Sequence, residues 1–128
     1  MKLFIVEDSA IIRGRIMAMV SMLDNIEIAG SSGETIESMN MIRILKPDTV
    51  ILDIRLKGGS GIDLLQEIKD EFPEMQVIML TNYPYAQYQR RCMELGADYF
   101  FDKSREFEKI IDVLSIPPSN SFNITSTV

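Results

Sequence analysis

Short, nearly continuous hydrophobic runs alternate along this chain with stretches of helical periodicity. The runs are Leu3–Val6, Thr49–Ile54, Gln76–Leu80 and Tyr99–Phe101, and each has the length of a strand buried on both faces of a parallel sheet. Ile26-Glu27-Ile28-Ala29 alternates apolar with polar instead, the pattern of an edge strand. Between the runs, apolar residues recur at three- and four-residue steps: Ile11, Ile12, Ile16, Met19 and Leu23, then Ile36, Met39, Ile42 and Leu45, then Ile62, Leu65, Ile68 and Phe72. A fourth helix is predicted after Asn82, with Pro84 in its first turn and Gly96 just past its end. A fifth runs from Ser104, a candidate N-cap, to about Ser115, and Pro117-Pro118 stops it. At helical spacing, Tyr85, Tyr88, Cys92 and Leu95 form a core-facing stripe on the fourth helix. Strands and helices in strict alternation define an α/β, doubly wound sheet of five parallel strands with five helices. Residues 1–116 make one domain, and the polar stretch 117–128, rich in Ser, Thr, Asn and Pro, makes a short tail.

In doubly wound sheets function sits beyond the carboxyl ends of the strands. The first run here ends in Glu7-Asp8, the third strand in Asp53 and the fourth in Thr81, and the fifth leads into Lys103. Three carboxylates, a hydroxyl and an amine thus converge on one pocket. Two like charges about 4 Å apart repel by roughly 4 kcal/mol at an effective dielectric near 20, so such a cluster calls for a cation among its members. All-oxygen donors suit Mg²⁺, with Asp8 and Asp53 as direct ligands, Glu7 acting through water and the main-chain carbonyl of Arg55 as a further donor. A carboxylate nucleophile, a metal, a lysine and a hydroxyl together suit phosphoryl transfer.

Composition removes the competing chemistries. The chain has 128 residues, one cysteine and no histidine, so an intramolecular disulfide, a Cys-based metal cage, His-based acid–base catalysis and His metal sites are excluded. Its formal net charge is −6, the wrong sign for holding a nucleic-acid backbone, and no direct nucleic-acid contact is expected. No apolar run reaches the roughly 20 residues of a membrane span, and Glu7 cuts short any leader-like segment. The expected compartment is the cytoplasm.

These pieces resemble a known family. Phe4-Ile5-Val6-Glu7-Asp8-Ser9, Val50-Ile51-Leu52-Asp53-Ile54, Gly58-Gly59-Ser60-Gly61-Ile62-Asp63, Val77-Ile78-Met79-Leu80-Thr81 and Gly96-Ala97-Asp98-Tyr99-Phe100-Phe101-Asp102-Lys103 stand in the order and spacing of a receiver domain of bacterial two-component response regulators. The resemblance covers about Lys2 to Leu114. It implies a flavodoxin-like sheet in the strand order 2-1-3-4-5. It also implies a phosphoryl group accepted on Asp53 from a histidine kinase or phosphotransfer protein, with Mg²⁺ held by Glu7, Asp8 and Asp53. Thr81 and Lys103 would contact the phosphoryl oxygens. Movement of Thr81 would couple to the aromatic at Phe100, and a protein target would dock on the face of helix four, strand five and helix five. A homodimer through that face is a further outcome, and no catalysis is expected beyond the chain's own phosphorylation and dephosphorylation.

Several positions depart from the family pattern. Phe100 stands where Tyr is common, so a switch there has no hydroxyl, and a plain core aromatic is the rival reading. Asn82 replaces a small residue beside Thr81. Ser104 replaces the usual proline after Lys103, which favours a trans bond because a non-proline cis bond costs about 2.5–4 kcal/mol. A dehalogenase-type phosphatase would need a second acid two residues past Asp53, where Arg55 stands. A flavodoxin would need a hydroxyl-rich loop where Glu7-Asp8 would repel the flavin phosphate. The alternatives left open are a phosphorelay shuttle or sink and a receiver belonging to a larger DNA-binding regulator.

Overall fold

The computed structural model describes residues 1–116, so the expected tail 117–128 lies outside the described residues. Five strands, β1 (Lys2–Val6), β2 (Glu27–Ser32), β3 (Thr49–Leu52), β6 (Gln76–Thr81) and β7 (Tyr99–Asp102), form one parallel sheet in the order β2-β1-β3-β6-β7. The remaining strands, β4 (Arg55–Leu56) and β5 (Gly59–Ser60), pair antiparallel in a hairpin after β3. Without the hairpin, the order is the expected 2-1-3-4-5. The helices are α1 (Ala10–Val20), α2 (Thr35–Leu45), α3 (Gly61–Glu71), α4 (Ala86–Glu94) and α5 (Lys109–Leu114).

Strand alternation decides which helix each residue meets. Phe4, Val6, Val50, Leu52, Val77 and Met79 point into a core closed by α2, α3 and α4. Leu3, Ile5, Ile51, Ile78 and Leu80 point the other way, against Ile16 and Val20 of α1 and Ile110, Val113 and Leu114 of α5. Every residue named here is nearly or completely buried, which is why the strands read as continuous apolar runs. Asp53 falls one residue past β3, so that strand is shorter than the hydrophobic pattern predicted.

Both late helices begin later than expected. Pro84 lies outside α4, whose N-cap is Tyr85. The Tyr83 N–H is held by the Thr81 hydroxyl oxygen at 3.0 Å, which fixes the chain ahead of Tyr85 as a loop. Tyr85 is therefore off the helical face and 53% exposed, while Cys92 of the same expected stripe is fully buried and Tyr88 and Leu95 are half-buried. Ser104 does not cap α5. Its N–H is taken by Asp102 Oδ1 at 2.9 Å, and Glu106 Oε1 reaches back to the Asp102 N–H at 3.1 Å. Those two bonds wind 103–108 into turns. Gly96, at φ +101°, does follow α4 as its C′ residue. Ile11 and Ile36, assigned to apolar faces by spacing, are 77% and 69% exposed; each is the second residue of its helix. No cis peptide bond occurs among the described residues, so Lys103–Ser104, whose isomer the sequence left open, is trans.

Candidate functional site

The acidic pocket forms where β1 and β3, neighbours in the sheet, both end. Val6 pairs with Leu52, and the Val6 carbonyl accepts the Asp53 N–H at 3.1 Å, which sets Asp53 beside Glu7. Carboxylate oxygens of Glu7, Asp8 and Asp53 all lie within 4.8 Å of one another. Glu7 and Asp53 are buried at 2% and 5% exposure, and Asp8 faces solvent. Asp53 Oδ1 accepts the Ile54 N–H at 2.7 Å, leaving Oδ2 aimed into the pocket.

Lys103 enters from the end of β7. Its N–H donates to the Thr81 carbonyl at 2.9 Å, which extends the β6–β7 ladder by one rung and fixes where the side chain starts. Its ammonium bonds Asp53 Oδ2 at 2.8 Å and also Glu7 Oε1. The Lys103 side chain is only 7% exposed. Burial pushes its pKa down, but the bonds and charges of Asp53 and Glu7 together outweigh that and hold it above the ordinary value. For Glu7 the balance tips the other way: burial raises its carboxyl, and the bonds from Lys103 and the Ser9 N–H recover only part. Three carboxylates against one ammonium leave a deficit of two positive charges, which a divalent cation matches. The donors are all oxygens, and the lone thiol, Cys92, is buried elsewhere in the core. The site therefore fits a hard cation such as Mg²⁺ and not a thiolate- or imidazole-seeking one.

Thr81, fully buried, ends β6. Its oxygen accepts the Tyr83 N–H, so the hydroxyl proton remains free to donate. Arg55 opens the hairpin, and its guanidinium lies 4.0 Å from the centroid of the Tyr83 ring, a cation–π stack joining the loops after β3 and β6. Tyr83, Tyr85 and Tyr88 continue as a chain of tilted rings with centroids 6.3 and 5.5 Å apart. Phe100 is half-buried and packs on the α2–α3–α4 side, away from Tyr99 and Phe101, which pack on the α1–α5 side. Asn82 is exposed.

Glu7, Asp8, Asp53 and Lys103 are thus brought together as the sequence predicted, with Thr81 at the neighbouring strand end. Three contributors were not anticipated. Arg13 of α1 donates to the Glu7 main-chain oxygen at 2.5 Å. Gly33, after β2, lies so close that an added Cβ would sit 2.9 Å from Asp8 Cα. Gly61 lies against Asp53 itself, where a Cβ would fall 1.7 Å from the Asp53 carbonyl oxygen. Two of them left a sequence signal: Gly61 stands in the glycine-rich motif after Asp53, though with no role assigned, and Arg13 is a cation in the first turn of a helix where the dipole disfavours it, just after an acidic pair.

A doubly wound sheet whose central strands end in an acidic pocket with a lysine inside defines the class of domain. The chain belongs to the family described as the response regulator receiver domain, whose sequence model matches residues 3–115. It is similar to a protein-glutamate methylesterase/protein-glutamine glutaminase of Methanospirillum hungatei, at 32% identity over 88% of this chain and 33% of that protein. It is also similar to the uncharacterized transcriptional regulatory protein YhcZ of Bacillus subtilis, at 26% identity over 87% of this chain and 52% of that one. The chain therefore spans about a third to a half of the length of these curated relatives. Among solved structures, a DNA-binding response regulator of the LuxR family from Staphylococcus aureus superposes with a TM-score of 0.82 at 24% identity, over 89% of this chain and 95% of that one. That likeness concerns the fold. Among the described residues, no helix is long and apolar enough to cross a membrane.

Proposed function

We propose that this receiver is a signalling switch, phosphorylated on Asp53 in a Mg²⁺-dependent reaction with a histidine kinase or phosphotransfer protein as donor, in the cytoplasm. The observation that carries the reading is Lys103 buried between Asp53 and Glu7 in a pocket still two positive charges short. Asp53 Oδ2 attacks the donor's phosphorus, and the bond from phosphorus to the donor nitrogen breaks as the new P–O bond forms. Glu7, Asp8 and Asp53, with the Arg55 main-chain carbonyl, would hold the metal, which would neutralise charge on the transferred group. Lys103 bonds one phosphoryl oxygen. Thr81 turns its free hydroxyl proton to another. Phe100, without a hydroxyl, responds to Thr81 by packing alone, and the target protein docks on the face of α4, β7 and α5, where a homodimer would also form. The chain's only catalysis is its own phosphorylation and dephosphorylation.

The test is intact-mass analysis after incubation with a small-molecule phosphodonor, with and without Mg²⁺, for the wild type and Asp53→Asn. One phosphoryl adduct that requires both Mg²⁺ and Asp53 is expected. An adduct that survives in Asp53→Asn, or that forms equally in EDTA, would overturn the reading. A second reading follows the transcriptional regulatory protein among the relatives: the receiver serves a larger regulator with a DNA-binding output; a role as a phosphorelay shuttle or sink is the further alternative. Transfer of the phosphoryl group onward to a second histidine protein would identify the shuttle.

A further inference from the structure

Arg13 has no role in the reading above, yet it occupies a costly place. It sits in the first turn of α1, where the helix dipole presents its positive end and no acidic residue of the helix offsets it. It is half-buried, and Nη1 lies 2.5 Å from the main-chain oxygen of Glu7. That oxygen belongs to the peptide leading into Asp8, the one exposed carboxylate of the pocket. Gly33 closes the arrangement from the other side: a Cβ there would stand 3.0 Å from Arg13 Nη1 and 3.1 Å from the Glu7 oxygen. The loop carrying Gly33 is in turn tied to the hairpin, with the Lys57 N–H on the Gly33 carbonyl at 3.1 Å and the Thr35 N–H on the Lys57 carbonyl at 3.0 Å. The Glu7–Asp8 peptide is therefore gripped between a guanidinium and a glycine that has no room for a side chain.

We infer that Arg13 is a positioning residue, which through the Glu7 carbonyl aims the Asp8 carboxylate at the cation site. The inference rests on the Mg²⁺-dependent reading of the pocket. Partners of this kind, one step removed from the metal, typically change metal affinity by about 10–100-fold when lost. The sign of the effect separates positioning from mere charge. A guanidinium near the site repels a divalent cation, so if charge were all that mattered its removal would tighten binding. Positioning predicts weaker binding.

The experiment is Mn²⁺ binding followed by the electron paramagnetic resonance of the free ion, with Mg²⁺ as competitor and no phosphodonor present. The proteins are wild type, Arg13→Met, which keeps the aliphatic stem, Arg13→Lys, Arg15→Met and Asp53→Asn. Arg15 is an exposed neighbour whose guanidinium lies over the Phe107 ring, so its loss removes the same charge without touching Glu7. The expected result is binding about 10-fold weaker in Arg13→Met, intermediate in Arg13→Lys and not weakened in Arg15→Met. Binding equal to or tighter than wild type in Arg13→Met overturns the inference, whatever its melting temperature. Should Arg13→Met fail to fold, Arg13→Lys decides, and an affinity equal to wild type overturns it. A wild type that fails to bind Mn²⁺, or binds it equally well as Asp53→Asn, would instead sink the Mg²⁺ reading of the pocket.

Discussion

Replacing Lys103 by Met tests the electrostatics of the pocket without any phosphodonor. The Lys103 side chain is 7% exposed, and the side chains of its partners Glu7 and Asp53 are 2% and 7% exposed. Water therefore screens neither pair well, and a unit pair about 4 Å apart is worth roughly 4 kcal/mol at an effective dielectric near 20. Methionine fills a similar volume, so the loss is electrostatic and not a cavity. Removing one member of a buried pair typically costs about 3–5 kcal/mol, because the other is left charged and unpaired. Urea denaturation followed by circular dichroism at pH 7.5 in EDTA should show this loss, equivalent to a fall of about 12–20 °C in melting temperature at roughly 4 °C per kcal/mol. Adding Mg²⁺ should stabilise the variant more than the wild type, since the emptied pocket is one charge more negative and a cation bound only to the folded state stabilises it by mass action. A loss under about 1 kcal/mol, or equal gains from Mg²⁺ in the two proteins, would refute the account.

Other substitutions probe the same architecture. The raised Glu7 pKa means that its contribution to stability is full below the ordinary value of 4.5 and declines as pH rises through the folded-state value. In EDTA, Glu7→Gln should thus gain on the wild type between pH 4 and pH 7.5 in melting experiments, and a larger advantage at pH 4 would contradict this. Gly61→Ala places a Cβ 1.7 Å from the Asp53 carbonyl oxygen, and should destabilise by several kcal/mol in urea titration, on the order of the largest single-site effects; near-native stability would show that the loop yields freely. The Cys92 thiol is fully buried and pushed up to about 11, so iodoacetamide at pH 8 should leave it unmodified in native protein and label it in urea, as mass spectrometry would report.

Strands and site were legible in the sequence for one reason. A strand buried on both faces must be apolar throughout, so the first polar residue after each run marks its end and, in a parallel sheet, the pocket. Glu7, Asp53 and Thr81 follow from that rule, while Lys103 is the second polar residue past its run, after Asp102. Helix starts were less legible, because tertiary bonds decide them: the Thr81 oxygen on Tyr83 delays α4, and Asp102 with Glu106 delays α5. The β4–β5 hairpin has strands of two residues, too short for any period, and is held by bonds to the loop after β2. Gly33 and Arg13 act across loops distant in sequence, and only their spatial meeting at Glu7 reveals them. Ile11 and Ile36 show the opposite failure, correct spacing on residues that nothing covers.

The pocket's members come from four separate strands, and the bond from Lys103 to Asp53 alone spans 50 residues. Neighbours in the sheet are likewise distant in sequence, as Lys2 and Leu3 of β1 pair with Glu27 and Thr49. Such topology gives slow, all-or-none assembly, since the chain must close long loops before non-local contacts compensate. A fragment that ends before β7, or an intermediate in which β7 has not joined the sheet, cannot present the acidic pocket with its lysine in place. A partner that recognises this pocket therefore also inspects the chain's conformation, and cannot engage molecules that are still folding or already damaged.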